Sequence, residues 1–348
     1  MADHGGWSGL LGPLTDGVDL TRPQAEAAMT EILAGQATDA QIAGLLVGLK
    51  AKGETVQELT GFATAMADAA EPLSVDRRAI DIVGTGGSGH RRRHALNVST
   101  MASIVAASAG AIVCKHGNRR ASSTSGSFDF LEALGVAIEL DPRQLERCVE
   151  EVGLGFAFAR SFHPAMRFAG PVRAELGIPT VFNLLGPLAN PARVTRQVVG
   201  VSSPERAEAM AEVLLSLGSE SAWVVSGADG LDELSTTGDS VVYRVARDGI
   251  TPDRVALGPL GIAEATLGDL AGGSAEQNVA IFNRILAGES GPHRDIVVLN
   301  AGAGLVVAGE SAAIEDGVDL AVSAIESGRA GAKLEQLVET TNRLISAQ

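Results

Sequence analysis

Cysteine is nearly absent: Cys114 and Cys148 are the only two in 348 residues, and neither lies in a C-x-x-C or His-rich spacing. That excludes a cystine-stapled scaffold, argues against a zinc centre and points to a reducing compartment, with a single disulfide left open. No apolar run reaches the roughly 18 residues that suggest a membrane span. The opening MADHGGWSGLLG has no basic segment followed by a signal-like core, so the expected location is cytoplasmic with no membrane partner. Basic residues are also short, 27 Lys+Arg against 42 Asp+Glu for a net charge of -15. A broad nucleic-acid surface is therefore not expected, and any anionic ligand must be held by local chemistry.

What is present is a chain 45% hydrophobic with 42 glycines, long enough for two domains or for one large α/β unit with a smaller attachment. Three helix starts of one kind open it: Thr21 to Gln24, Thr38 to Gln41 and Thr55 to Glu58. In each, a hydroxyl can accept from an unpaired amide while the Gln or Glu returns a bond to the cap backbone. Stripes such as Ile42, Leu45, Leu46, Leu49 and Leu59, Phe62, Met66, Ala70 follow at helical spacing, which predicts a small helical unit of three short helices.

From residue 79 the pattern changes to alternation. Strands are expected at 79–83, 111–114, 198–201, 222–225, 240–245 and 296–299, and helices at 98–109, 128–134, 204–217 and 275–287. Two terminal helices are expected within 311–346, around Gly328 and Gly331, and 250–275 reads as an ordered connection. This favours a sheet covered by helices without determining strand order. The expected division is a helical domain at 1–75, a returning segment near 165–195, and an α/β domain at 76–164 and 196–348.

Several clusters can carry chemistry. Gly84-Thr85-Gly86-Gly87-Ser88-Gly89 follows a strand, and its amides can surround phosphate oxygens. It is neither a G-x-G-x-x-G fingerprint nor a P-loop, and a plain turn is the bland alternative. Asn97-Val98-Ser99-Thr100 opens a helix and adds donors where the dipole favours an anion; ordinary capping is its alternative. Between them lies His90-Arg91-Arg92-Arg93-His94, either a phosphate neutraliser or a solvated loop. Lys115-His116-Gly117-Asn118-Arg119-Arg120 follows the next strand, where Lys115 can meet phosphate and Asn118 an acceptor's ring substituents. Ser122 to Ser127 supply further hydroxyls. His163, Arg167 and Arg173 follow, with Arg173 either a carboxylate clamp or half of a surface ion pair, and Arg167 and Arg173 too far round a helix for a same-face pair. Asp232-Glu233 sit in a turn-like stretch, where two acids beside a phosphate loop make sense as ligands to a shared Mg²⁺.

In order along the chain, GTGG (84–87), NVST (97–100), KHGNR (115–119), SSTSG (122–126), LEALGV (131–136), HPAMR (163–167), FNLLGPLANP (182–191) and GLDELS (230–235) make the sequence resemble the anthranilate phosphoribosyltransferases over nearly its full length. The resemblance implies a nucleoside-phosphorylase-like phosphoribosyltransferase fold, a small helical domain plus a larger α/β domain with a central mixed sheet, commonly a homodimer through the helical domain. It implies transfer of the phosphoribosyl group of 5-phospho-alpha-D-ribose 1-diphosphate to the amino nitrogen of anthranilate, with Mg²⁺, in tryptophan biosynthesis. By position, Gly84, Gly86, Gly87, Ser88, Asn97, Ser99, Thr100, Lys115, Ser123 and Ser127 would bind the donor. Asn118, His116, His163 and Arg173 would bind anthranilate. Ser99, Asp232 and Glu233 would hold the metal, with Lys115 giving electrostatic support and no covalent nucleophile required.

The chain departs from that pattern where the family has Asp after GTGG and Thr two positions before the Asn of N-x-S-T; here stand Ser88 and Ala95, in a longer stretch carrying Arg91–Arg93. The exchange either alters ribose and magnesium organisation or is compensated by arginines on the pyrophosphate. A phosphoribosyltransferase with another aromatic or heteroaromatic acceptor, a phosphorylase, and a noncatalytic nucleotide- or nucleic-acid-binding homologue are the competing readings.

Overall fold

The computed structural model describes residues 1–86, 96–119 and 125–347. Four helices open the chain: α1 (Gly6–Thr15), α2 (Arg22–Leu33), α3 (Asp39–Lys52) and α4 (Val56–Asp68). Capping boxes start α2, α3 and α4 as expected; at Thr38 the hydroxyl accepts from Gln41 N–H at 3.3 Å while Gln41 Oε1 accepts from Thr38 N–H at 2.9 Å. Such caps are worth about 1 kcal/mol each. The sequence reading missed α1, which begins between glycines and has no side-chain cap.

The rest of the chain alternates: β1 (Ile80–Gly84), α5 (Val98–Ser108), β2 (Val113–Gly117), α6 (Ser127–Ala133), α7 (Pro142–Val152), β3 (Leu154–Phe158), α8 (Ala159–Phe162), α9 (Gly170–Leu176), α10 (Val181–Leu185), β4 (Arg196–Gly200), α11 (Pro204–Ser216), β5 (Ser221–Ser226), β6 (Ser240–Ala246), β7 (Gly249–Val255), α12 (Ala275–Leu286), α13 (Pro292–Ala308), α14 (Ile314–Glu326) and α15 (Arg329–Ser346). One mixed sheet runs β3-β2-β1-β4-β5-β6-β7. Its first five strands are parallel, and β6 and β7 close it as antiparallel neighbours.

Alternation along the strands separates two cores. Ile80, Ile82, Val198 and Val225 face a cluster that includes buried residues of α5, α7, α13 and α15. Val199, Ala222 and Val224 face the other, which joins α11 to α1–α4. The segment carrying α9 and α10 packs on α3 and α4, so it crosses from the sheet to the opening helices and back.

The elements differ from expectation in three places. Residues 296–299 are not a strand but lie inside α13, which is buried on nearly every side; with no polar face, IVVL shows no helical period. β3 was not anticipated because LGFAF is a short, wholly buried run. β7 runs from Gly249 into the Gly- and Pro-rich 250–275 stretch, and its Pro252 is tolerated because β7 is the sheet's edge. Cys114 and Cys148 are both buried and free, so the open disulfide is not made.

Candidate functional site

Strand order reverses between β1 and β4, which lie side by side in parallel while the chain winds away from them in opposite directions. In open α/β sheets the crevice beyond the carboxyl ends at such a point is where ligands bind. Here the two strands end in register on Gly84 and Gly200. A Cβ on either would collide with Asp232, on its carboxylate at Gly84 and on its carbonyl at Gly200. The absent side chains thus let the loop after β5 cross directly over the strand ends. Asp232 Oδ2 accepts from Gly86 N–H at 2.8 Å, joining acidic loop to glycine loop. From α13, buried Asn300 holds the next turn on both sides: Oδ1 accepts from Leu234 N–H at 3.0 Å and Nδ2 donates to Leu234 O at 2.8 Å. Asp232 and Glu233 are both buried.

On the other flank of β1 the ladder is interrupted. β1 and β2 pair in register only at Ile80 and Val113, whereas β1 and β4 pair at five positions. Side chains take over the missing bonds. Lys115 Nζ donates to Ile82 O at 2.7 Å, the His116 amide donates to Asp81 Oδ2 at 3.3 Å, and Asn190 Nδ2 donates to Asp81 Oδ2 at 2.8 Å and to Cys114 O at 2.9 Å. A buried lysine, carboxylate and carboxamide therefore wedge the sheet open beside the crevice. Burial lowers the Lys115 pKa, opposed by the charges of Asp81, Glu233 and Asp232. Burial also raises Asp81 to about 6 against the pull of Lys115, Asn190 and the His116 amide.

Asn97 caps the start of α5 by position, but its side chain makes no capping bond. Ser99 is half-buried in the first turn, and Thr100 is buried with its Oγ1 unpartnered among the described residues. These groups stand where helix dipole and amides favour an anion.

The expected acceptor residues fall beyond β2 and β3. The His116 and His163 rings lie 5.1 Å apart, both buried. Each contacts a carbonyl of the Gly186–Ala189 stretch: His116 Nδ1 with Gly186 O at 3.1 Å, His163 Nε2 with Ala189 O at 2.8 Å. A carbonyl only accepts, so those nitrogens carry the protons. The lone-pair nitrogen of His116 is then Nε2, buried and unpartnered among the described residues. Burial pushes His116 down to about 3, with His163 a further lowering influence, and burial also lowers His163. Both imidazoles are neutral near pH 7. Asn118 is exposed and its carbonyl accepts from Ser127 Oγ at 3.0 Å, so those two loop residues meet. Arg119 instead pairs with Asp129 and Glu132 on α6.

Arg173 lies on α9, with its guanidinium 4.9 Å from the Phe182 ring centroid, and burial lowers its pKa. Among the described residues no carboxylate pairs with it, so the surface ion pair is not found. Arg167 sits apart, in a 3₁₀ turn against Phe168, because Gly170 and Pro171 start a new helix between the two arginines.

Gly87, Ser88 and Ser123 lie outside the described residues, as do Arg91–Arg93 and Ala95. The structure brings Gly84, Gly86, Lys115, Asp232 and Glu233 to one end of the sheet. Sequence reasoning missed Asp81, Asn190, Asn278 and Asn300. The signal that was available is a polar residue within an apolar run, as in IDIVG and VVLNAGAG.

Two family profiles match the chain: "Glycosyl transferase family, helical bundle domain" over residues 8–70 and "Glycosyl transferase family, a/b domain" over 76–331. The anthranilate phosphoribosyltransferase of Rhodococcus opacus is 49% identical over 98% of this chain and 95% of its own length. That of Parvibaculum lavamentivorans is 47% identical over 96% and 97%. The crystal structure of the Thermus thermophilus enzyme superposes with a TM-score of 0.89 at 45% identity, covering 95% of this chain and 99% of that one. The Saccharomyces cerevisiae enzyme, solved in complex with PRPP and Mg, gives 0.85 at 26% identity over 93% and 94%. With its switch-point crevice, paired acids and glycine loop, the chain belongs to the anthranilate phosphoribosyltransferase family.

Proposed function

We propose that the crevice at the β1/β4 switch point binds 5-phospho-alpha-D-ribose 1-diphosphate and that the chain transfers its phosphoribosyl group to the amino nitrogen of anthranilate. The observation that carries this reading is the joining of Gly86 to Asp232 across the ends of β1 and β4, beside the buried Lys115. The nitrogen lone pair attacks C1 of the ribose, the C1–O bond to pyrophosphate breaks, and the amine gives up one proton to leave N-(5-phosphoribosyl)anthranilate.

Negative charge grows on the leaving group. The glycine loop at Gly84, Gly86 and Gly87, the α5 terminus with Asn97, Ser99 and Thr100, and the Lys115 ammonium would bind and steady it, with Ser88, Ser123 and Ser127 as further donor contacts. Among the described residues no group of three or more His, Cys, Asp or Glu could hold a metal by itself. Two adjacent buried carboxylates do suit Mg²⁺, which is commonly bound through one or two carboxylates with substrate phosphate and water completing its shell. Asp232 and Glu233, with Ser99, would hold it, and it would supply charge neutralisation for the departing pyrophosphate.

On the acceptor side, the Arg173 guanidinium would clamp the carboxylate. Asn118, His116 and His163 would orient the ring, with His116 Nε2 able to accept from the amine. Holding the amine near C1 turns a rare encounter into an oriented attack. A cytoplasmic homodimer joined through the helical domain belongs to the same reading. Three of the four exposed large apolar side chains among the described residues support it: Val18, Val47 and Ile178 lie on or beside the opening helices. No helix among the described residues is long and apolar enough to cross a membrane.

The test is a purified-protein assay with both substrates, with and without Mg²⁺, following pyrophosphate and the phosphoribosylated product. Both products and metal dependence are expected, and the D232A/E233A double variant should lose most of its turnover. Substrate-saturated protein that forms neither product would refute the assignment.

A further inference from the structure

Asn278 lies in the first turn of α12, wholly buried, 181 positions after Asn97. Its Oδ1 accepts from Gly273 N–H at 2.9 Å. A backbone amide can only donate, so this bond identifies which end of the Asn278 carboxamide is oxygen. The Nδ2 end therefore faces Asn97, and it donates to Asn97 Oδ1 at 2.7 Å. Ser125 Oγ donates to the same oxygen at 3.0 Å. Asn97 Oδ1 thus has two donors, while its Nδ2 reaches the Ser125 carbonyl only at 3.5 Å.

A carboxamide rotated by half a turn has nearly the same shape but presents an acceptor where it had a donor. For binding a phosphorylated sugar the difference is decisive, because phosphate oxygens accept and do not donate. Nothing within Asn97's own helix selects the rotamer, since its side chain forms no capping bond. The selection comes chiefly from α12, through the 2.7 Å bond from Asn278, with the Ser125 carbonyl at 3.5 Å favouring the same sense.

We infer that Asn278 is a positioning residue: it fixes the polarity of the Asn97 amide so that Asn97 meets the phosphoribosyl donor with its nitrogen. The inference rests on the proposed function, in which Asn97 is a donor contact.

N278D tests it in the full-length protein. The carboxylate keeps the side chain's shape and can still accept from Gly273, but it has no hydrogen for Asn97 Oδ1. Asn97 then turns its nitrogen to residue 278 and its oxygen toward the donor. The KM for the phosphoribosyl donor should rise about ten- to a hundredfold, while the KM for anthranilate at saturating donor stays within about twofold of wild type. N278A removes the selection without reversing it and should give a smaller rise in the same constant alone. The side-chain amide resonance of Asn97, identified by its loss in N97D, should shift in both variants. A purely structural role would raise both Michaelis constants together and make N278A at least as damaging as N278D.

N97D separates the two levels of argument. An unchanged donor KM in N97D would refute Asn97 as a donor contact. A raised donor KM in N97D beside wild-type values in folded N278D would overturn the Asn278 inference alone. If N278D does not fold, N278A decides: a selective rise in donor KM supports the inference, and unchanged constants with an unshifted Asn97 resonance reject it.

Discussion

Asp232 accepts from the Gly86 amide at 2.8 Å although 146 positions of chain separate them. The bond holds the acidic loop and the glycine loop in one fixed relation, and the bare ends of β1 and β4 at Gly84 and Gly200 make the approach sterically possible. Asn300 then fixes the residue after the acidic pair by binding both backbone groups of Leu234. The glycine loop proposed to hold phosphate and the pair of carboxylates are thereby joined as one unit.

The most direct consequence concerns Gly200. A methyl group there meets the carbonyl of Asp232, which cannot swing aside as a flexible side-chain tip would. G200A is expected to displace the acidic loop, destabilise the protein by about 1–3 kcal/mol and lower kcat/KM for the donor by roughly a hundredfold, the scale of a 1 Å misplacement. Thermal melts and a Mg²⁺ titration of turnover check this; wild-type metal dependence in G200A would show that the loop's path is not critical.

Residues that act through local chemistry were readable in the chain. Thr38 and Gln41 announce a helix because their bonds close within one turn, and GTGG after an apolar run announces the end of a strand, where Gly84 closes β1. Asp232 and Glu233 became interpretable only beside the other motifs, since an isolated acidic pair is more often solvated surface. What could not be read depends on distant partners. Asn300 looks like an ordinary polar residue until α13 is seen against the acidic loop. The same all-round burial that gives Asn300 its role hides the helix itself, because a helix with no solvent face shows no period. Asp81 looked like part of a strand, whereas its carboxylate replaces part of the β1–β2 ladder.

That position gives a prediction in pH. The negative charge of Asp81 is the foremost influence raising the Lys115 pKa against the lowering by burial. D81N keeps an oxygen for Asn190 and the His116 amide but removes the charge, so the Lys115 ammonium should lose its proton at lower pH. The basic limb of the kcat/KM profile for the donor is expected to move down by about one unit or more. The folded-state pKa of Asp81 itself is raised to about 6. Wild type should therefore lose stability as pH climbs from about 4, near the unfolded value, through that folded value, and D81N should lose that dependence. An unmoved basic limb in folded D81N would show that Asp81 does not tune Lys115.

Arg173 is partly buried, stacked near Phe182 and without a carboxylate among the described residues. A bound carboxylate would supply the missing charge, and a hydrogen bond to a charged group is worth about 1.5–3 kcal/mol. R173A is expected to raise the KM for anthranilate about ten- to a hundredfold with the donor KM unchanged. R173K should not restore it, since lysine lacks the planar fork that stacks and binds in two places. Steady-state kinetics with each substrate varied in turn would detect the split, and equal effects on both constants would remove Arg173 from the acceptor pocket.

His116 should not titrate in the physiological range. Burial holds His116 at about 3 and lowers His163, and the Gly186 and Ala189 carbonyls select opposite tautomers, with the proton on Nδ1 of His116 and on Nε2 of His163. Imidazole nitrogen NMR is expected to show the neutral His116 form unchanged from about pH 5 to 8, across the usual histidine midpoint near 6.5, and the neutral His163 form at about pH 7 to 8. The kcat/KM profile for anthranilate should correspondingly show no acid limb from His116. H116F, which fills the space without a lone pair, should weaken acceptor use, because Nε2, unpartnered among the described residues, is the atom proposed to receive a hydrogen bond from the amine. A titration of His116 near pH 6.5 would mean that the ring is solvated and its nitrogen already occupied by water, which would leave the amine without this acceptor.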